Sequence, residues 1–212
     1  MIRWLTVLSA TFVAVAAFGQ GQVMFNNKEL ADGGWLARVN VLDGGNNAHF
    51  AEGTEARVAL LGGPAATGLP YETSRGGIKM GNLTTLANPS DGSTWVNFLT
   101  GIDQGFVAPT PRVLNDVGYG QRAVLQMVAW TGNYPDWNSA LSAAYLDPNV
   151  KVGSSAGWTV TTTLSAADQS FAPNIGMSGF AIESIAIPEP STATLAGLGA
   201  LALAFRRFKT RQ

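Results

Sequence analysis

Arg122-Ala123-Val124-Leu125-Gln126-Met127-Val128-Ala129-Trp130 is the stretch that decides how this 212-residue chain folds. Successive side chains of a β-strand point to opposite faces. As a strand, the stretch therefore puts Val124, Val128 and Trp130 on one face with Gln126, and Ala123, Leu125, Met127 and Ala129 on the other. Both faces are largely apolar, the pattern of a central strand packed on two sides. Residues 36–42 read differently. There Arg38 and Asn40 point outward and alternate with Val39 and Val41, as in a half-exposed strand.

Other short alternating or β-branched runs lie at residues 22–26, 56–61, 94–99, 158–164 and 179–187, separated by turn residues drawn from 25 glycines and 10 prolines. Gly33 and Gly34, residues 44–47 and residues 88–92 read as exposed loops. One helix is expected: Pro135 and Asp136 precede Trp137, Leu141, Ala144 and Tyr145 at helical spacing, and Pro148 ends the pattern. The expected fold is all-β, an antiparallel β-sandwich of jelly-roll or Ig-like kind with one minor helix, over residues 20–187. No internal repeat is visible. The chain has no cysteine, so disulfides cannot staple this fold and its core must hold it.

The two ends read as targeting signals. Residues 1–19 carry Arg3 and then an uncharged stretch, 4–19, which has the charge, length and composition of a secretory signal peptide. Small residues at Ala17 and Gly19 place cleavage between Gly19 and Gln20, with cleavage after Ala17 as the second choice. At the other end Pro188, Glu189, Pro190, Ser191 and Thr192 form a polar spacer whose prolines stop a helix from running backward. An uncharged span, 191–205, follows, and then a basic tail, 206–211, with Arg206, Arg207, Lys209 and Arg211. A helix over that span is about 22 Å long, against a hydrocarbon core of about 30 Å. Its large side chains, Leu195, Leu198, Leu201, Leu203 and Phe205, supply only about −1.5 to −3 kcal/mol of insertion energy. The basic tail offsets this deficit: it is held on the cytoplasmic side, and its long stems snorkel to lengthen the span. The expectation is a single C-terminal transmembrane helix.

Spacer, span and basic tail in this order resemble the PEP-CTERM sorting domain of exported proteins. The resemblance covers residues 188–212 and implies recognition by an exosortase, a membrane-embedded cysteine transpeptidase or protease of Gram-negative bacteria. It also implies processing near Pro188, Glu189 and Pro190, with a signal peptidase acting at the other end. The protein is then expected to cross the inner membrane, to stay anchored there transiently, and to reach the cell surface or extracellular matrix in association with biofilm or exopolysaccharide. The exported domain is more loosely similar to others that carry this signal, through Gly21-Gln22-Val23-Met24-Phe25-Asn26-Asn27 and Val128-Ala129-Trp130. That second likeness carries no function.

Charge excludes one class of partner. The chain has 13 basic and 14 acidic residues; without Arg3, the four tail cations and Glu189, residues 20–187 keep eight basic and thirteen acidic residues, near −5. Nucleic acid is therefore not an expected partner, and neither is an anionic lipid surface for this domain.

Catalytic constellations are expected to be absent. Gly153-Ser154-Ser155-Ala156-Gly157 matches Gly-x-Ser-x-Gly, but that elbow needs a helix after it and a histidine later in the chain. A Thr- and Val-rich run follows instead, and the only histidine, His49, lies upstream. Ser154 and Ser155 are read as a turn and His49 as a surface residue of a polar loop. One histidine without cysteine excludes a zinc site. Asp43, Glu52, Glu55 and Asp91 lack calcium-loop spacing, and no pair of acids suggests glycoside hydrolysis. No metal or cofactor is expected. Trp130 and Trp158 are assigned to the core. Trp35 and Trp137, beside loop signals, are the sugar-stacking candidates. The sequence thus points to a non-enzymatic exported surface protein, with a carbohydrate-binding module as the alternative and a secreted hydrolase as a weaker one.

Overall fold

A computed structural model describes residues 20–28, 37–43, 47–74, 77–163 and 177–185. The expected signal peptide (1–19), Trp35 and the C-terminal spacer, span and tail (188–212) lie outside the described residues. Strands are numbered β1 to β13 in chain order.

The quoted stretch forms β10 (Arg122–Thr131), a strand buried along nearly its whole length. It pairs antiparallel with β4 (Ala56–Pro64) through nine consecutive positions, from Ala123 opposite Pro64 to Thr131 opposite Ala56. The two-sided burial read from the sequence is what the fold uses. Ala123, Leu125, Met127 and Ala129 join Ala56, Val58 and Leu60 in one hydrophobic cluster. Val124, Val128 and Trp130 join Ala59 and Leu61 in a second cluster.

Different elements cover the two faces. Over the first lie side chains of β1 (Gly21–Phe25) and β9 (Thr110–Leu114), which pair only with each other among the named strands. Val23, Phe25 and Leu114 pack there with Val39 and Val41 of β2 (Val39–Asp43). Over the second lies the single described α-helix, α1 (Trp137–Ala144), with Trp137, Ala140, Leu141 and Ala144 buried. Its first turn is capped by Asp136, whose carboxylate accepts from the Ser139 N–H at 2.8 Å.

The other edge of β10 is shared by two strands. β12 (Trp158–Thr161) pairs with Arg122 to Leu125, and β11 (Lys151–Ser154) with Val128 to Trp130. Between them Ser155 fills the break. Its N–H donates to the Met127 carbonyl (2.9 Å) and its hydroxyl accepts from the Met127 N–H (3.0 Å). The larger sheet is completed by β13 (Phe180–Ser184), β2 and β3 (Asn47–Phe50) on one side and by β7 (Thr84–Thr85) and β8 (Val96–Asn97) against β4 on the other. It is open, running in pairing order from β3 to β7. A short hairpin, β5 (Glu72–Ser74) with β6 (Gly77–Lys79), forms a two-stranded sheet of its own that touches β11 through Thr73 and Ser154.

Two expectations are corrected. The sheet is not wholly antiparallel: β13 runs parallel to β2, with Ile182 opposite Val41. These strands are far apart in sequence, so no hairpin forces opposite directions. The loop reading is corrected at Asn47 and His49, which lie in β3, and at Gly153 and Ser154, which lie in β11. A side chain at Gly153 would place its Cβ 2.2 Å from the Ala181 carbonyl oxygen, which explains a glycine inside a strand.

Gln126, the polar residue on an apolar face, is fully buried and fully used. It accepts from the Tyr71 N–H at 2.8 Å and donates to the carbonyls of Tyr71 and Ser155. Buried Arg112 is the opposite case. One of its nitrogens donates to the Ser93 carbonyl, while Nε and Nη2 have no hydrogen-bond partner. A buried amide removed without its partners costs about 1–3 kcal/mol per orphaned group. Gln126→Leu is therefore expected to destabilise the protein by about 3 kcal/mol in urea denaturation; a loss under about 0.5 kcal/mol would contradict the role assigned to this amide. An incompletely paired buried cation is a poor stabiliser. Arg112→Met is accordingly expected to leave the denaturation midpoint unchanged or raised, and a loss above about 2 kcal/mol would refute that.

Candidate functional site

Where β4 begins and β10 ends, the chain leaves a groove of about 360 Å³ lined by Thr54, Glu55, Arg57, Trp95, Asn97, Gly132 and Asn133. Strand register assembles it, because Arg57 stands between Trp130 on β10 and Asn97 on β8. The Arg57 guanidinium lies 4.0 Å from the centre of the half-buried Trp95 ring. It also donates to the Tyr134 carbonyl and to Oδ1 of Asn133. The Trp130 indole N–H reaches the same carbonyl at 3.3 Å. The turn that presents Asn133 depends on Gly132, at φ +86°, where a Cβ would meet the Tyr134 ring at 2.9 Å.

Next to the groove is a charged row. His49 Nε2 lies 2.7 Å from Oε1 of Glu55, and Nδ1 lies 3.3 Å from Oδ2 of Asp43, which also pairs with Lys151. All four side chains keep contact with solvent. Both ring nitrogens face carboxylates, so neither is turned toward a hydroxyl. Glu52 is held elsewhere, by the Gln104 amide at 2.6 Å, and Asp91 by the Ser93 N–H at 2.8 Å. Among the described residues no group of three or more His, Cys, Asp or Glu side chains is placed to hold a metal ion.

The Gly-x-Ser-x-Gly segment is a structural fixture. Ser154 Oγ lies 3.0 Å from Thr73 Oγ1, and Ser155 is buried against Met127. The expectation of a turn is corrected here, because both serines complete the edge of β10.

Trp137, expected at the surface as a sugar-stacking residue, is 1% exposed. It opens α1 on the helix's apolar side, edge-on to Tyr71 at 5.9 Å and 6.2 Å from Trp130. This burial removes it as a stacking candidate. Trp130 and Trp158 are core residues, as expected. An aromatic residue that does line a groove is Trp95. Its sequence surroundings, Ser93-Thr94-Trp95-Val96-Asn97, signal only an alternating strand. Only the register with β4 brings Arg57 to it.

Asp43 shows a pKa below the ordinary carboxylate range, mainly because Lys151 hydrogen-bonds its ionised form. A depressed folded-state value stabilises the fold above the unfolded carboxylate range of about 4, and this contribution disappears as pH falls through the folded value. Lys151→Met is expected to raise the Asp43 titration midpoint toward that range in carboxyl NMR. An unmoved midpoint would show that Lys151 is not the cause.

Among the described residues no helix is long and apolar enough to cross a membrane. No curated protein and no solved structure matches the chain. The family profile of the PEP-CTERM protein-sorting motif does match, at residues 186–207. The match covers Pro188, Glu189 and Pro190, the uncharged span and the first two arginines of the tail. Such a motif marks a protein exported to the envelope or surface of a Gram-negative bacterium and processed by an exosortase. The chain thus carries a PEP-CTERM protein-sorting motif.

Proposed function

We propose that this protein is a non-enzymatic component of the cell surface or extracellular matrix, displayed as a β-sandwich domain in a biofilm or exopolysaccharide setting. The observation that carries the reading is the sorting motif at residues 186–207. On this reading the sandwich consists of the β1–β9 ribbon facing the larger sheet across the first cluster.

The C-terminal span serves as a transient anchor, with Arg206, Arg207, Lys209 and Arg211 on the cytoplasmic side. Signal peptidase cuts between Gly19 and Gln20, and the exosortase acts near Pro188, Glu189 and Pro190. A hydrolase is disfavoured because His49, the single histidine, has both nitrogens facing carboxylates. A role in binding carbohydrate is favoured by the groove at Trp95, in place of the buried Trp137.

Deleting residues 188–212 tests the sorting half directly. The truncated chain is expected in the periplasm or medium as a soluble protein, while the full-length chain passes through the inner-membrane fraction. If both fractionate alike, the anchor assignment is wrong.

A further inference from the structure

We propose that the groove at Trp95 is a binding subsite for a neutral, hydroxyl-rich saccharide. Three observations converge on this class of ligand. First, Trp95 is half-buried and lines the groove, and the part of its ring that Arg57 and the core leave uncovered gives it apolar aromatic surface against which the C–H face of a sugar ring can lie. Second, the surrounding groups match hydroxyls, which both donate and accept. Asn97 and Asn133 offer amides, Thr54 a hydroxyl and Glu55 a carboxylate. Third, these groups are positioned before any ligand arrives. Arg57 clamps Trp95 from one side and Asn133 from another, and Gly132 fixes the turn. Ordering side chains in advance lowers the cost of binding.

The electrostatics select a neutral ligand over an acidic one. Among the described lining residues Arg57 is the one cation, and it is held in place by donating to Tyr134 and Asn133. Glu55 contributes negative charge beside it, and residues 20–187 carry a net charge near −5. A uronic-acid polymer would bring further negative charge to a domain that is already net negative. The volume of about 360 Å³ lies at the small end of ligand clefts, which run about 300–1,000 Å³. The site therefore grips a short segment of a longer chain. The saccharide chemistry stands on the groove itself; that the polymer is the one surrounding an exported protein rests on the reading above.

The test is calorimetric titration of the full-length protein, held in a detergent without a sugar headgroup, with cellotetraose, laminaritetraose, maltotetraose and, as the acidic counterpart, tetragalacturonate. At least one neutral tetrasaccharide is expected to bind. Trp95→Ala and Asn97→Ala are each expected to weaken it about fivefold or more, with Trp95→Phe losing less than Trp95→Ala. Should near-ultraviolet circular dichroism show that Trp95→Ala does not fold, Asn97→Ala decides alone. The proposal is overturned if no neutral tetrasaccharide binds, if tetragalacturonate binds more tightly, or if the folded variants bind as the parent does. None of these results touches the C-terminal signal, so cell fractionation of the same variants separates failure of the subsite from failure of the sorting assignment.

Discussion

The nine-residue antiparallel pairing of β4 with β10 is the contact on which the remaining structure rests. It creates a two-faced wall, with a ribbon and β2 packed over one side and a helix over the other. Burying both faces makes a polar side chain in the wall expensive unless it is satisfied. Gln126 meets that condition by joining Tyr71 and Ser155 to the wall, and Ser155 in turn repairs the gap between β11 and β12. The same pairing generates the groove. Register sets Arg57 beside Asn97 and Trp130, and the turn leaving β10 brings Asn133 within reach of its guanidinium.

Chain geometry also links the domain to its signal. β13 lies between β2 and β11, so the last described strand is an inner one. Ile185, just past it, is 4% exposed, and Pro188 is three residues further on. Three residues span at most about 11 Å even when fully extended. An enzyme acting at Pro188 to Pro190 from within the membrane therefore works close to the surface of the folded domain. The inner placement of β13 further means that β2 and β3 join the rest of the larger sheet through residues 180–184.

Legibility in the sequence varied with how much of the physics was local. β10 and β4 were readable because an unbroken apolar run has few other homes, and α1 because Asp136, the apolar spacing and Pro148 agree. β9 was not readable: Thr110-Pro111-Arg112-Val113-Leu114 contains a proline tolerated only where a strand lacks a partner on one side, and an arginine that burial hides completely. β11 was lost because Gly153 and Ser154 look like a turn until a neighbouring carbonyl excludes any side chain at Gly153. Trp137 looked exposed because it follows Pro135 and Asp136; its burial depends on Tyr71 and Trp130, 66 and 7 residues away in sequence. The groove combines residues from three separate segments, which no local pattern announces. The sorting motif was fully legible, because its parts act in order along the chain and need no fold to bring them together.

The central claim is that one chain carries a self-standing β domain and a separable address for delivering it. Intact-mass measurement of the protein recovered from the envelope and medium of producing Gram-negative cells tests this most directly. The account predicts a species that begins at Gln20 and has lost the hydrophobic span and basic tail, ending near Pro188 to Pro190. Recovery of the unprocessed chain alone, retaining Arg206 to Arg211 and confined to the cytosol, would contradict it.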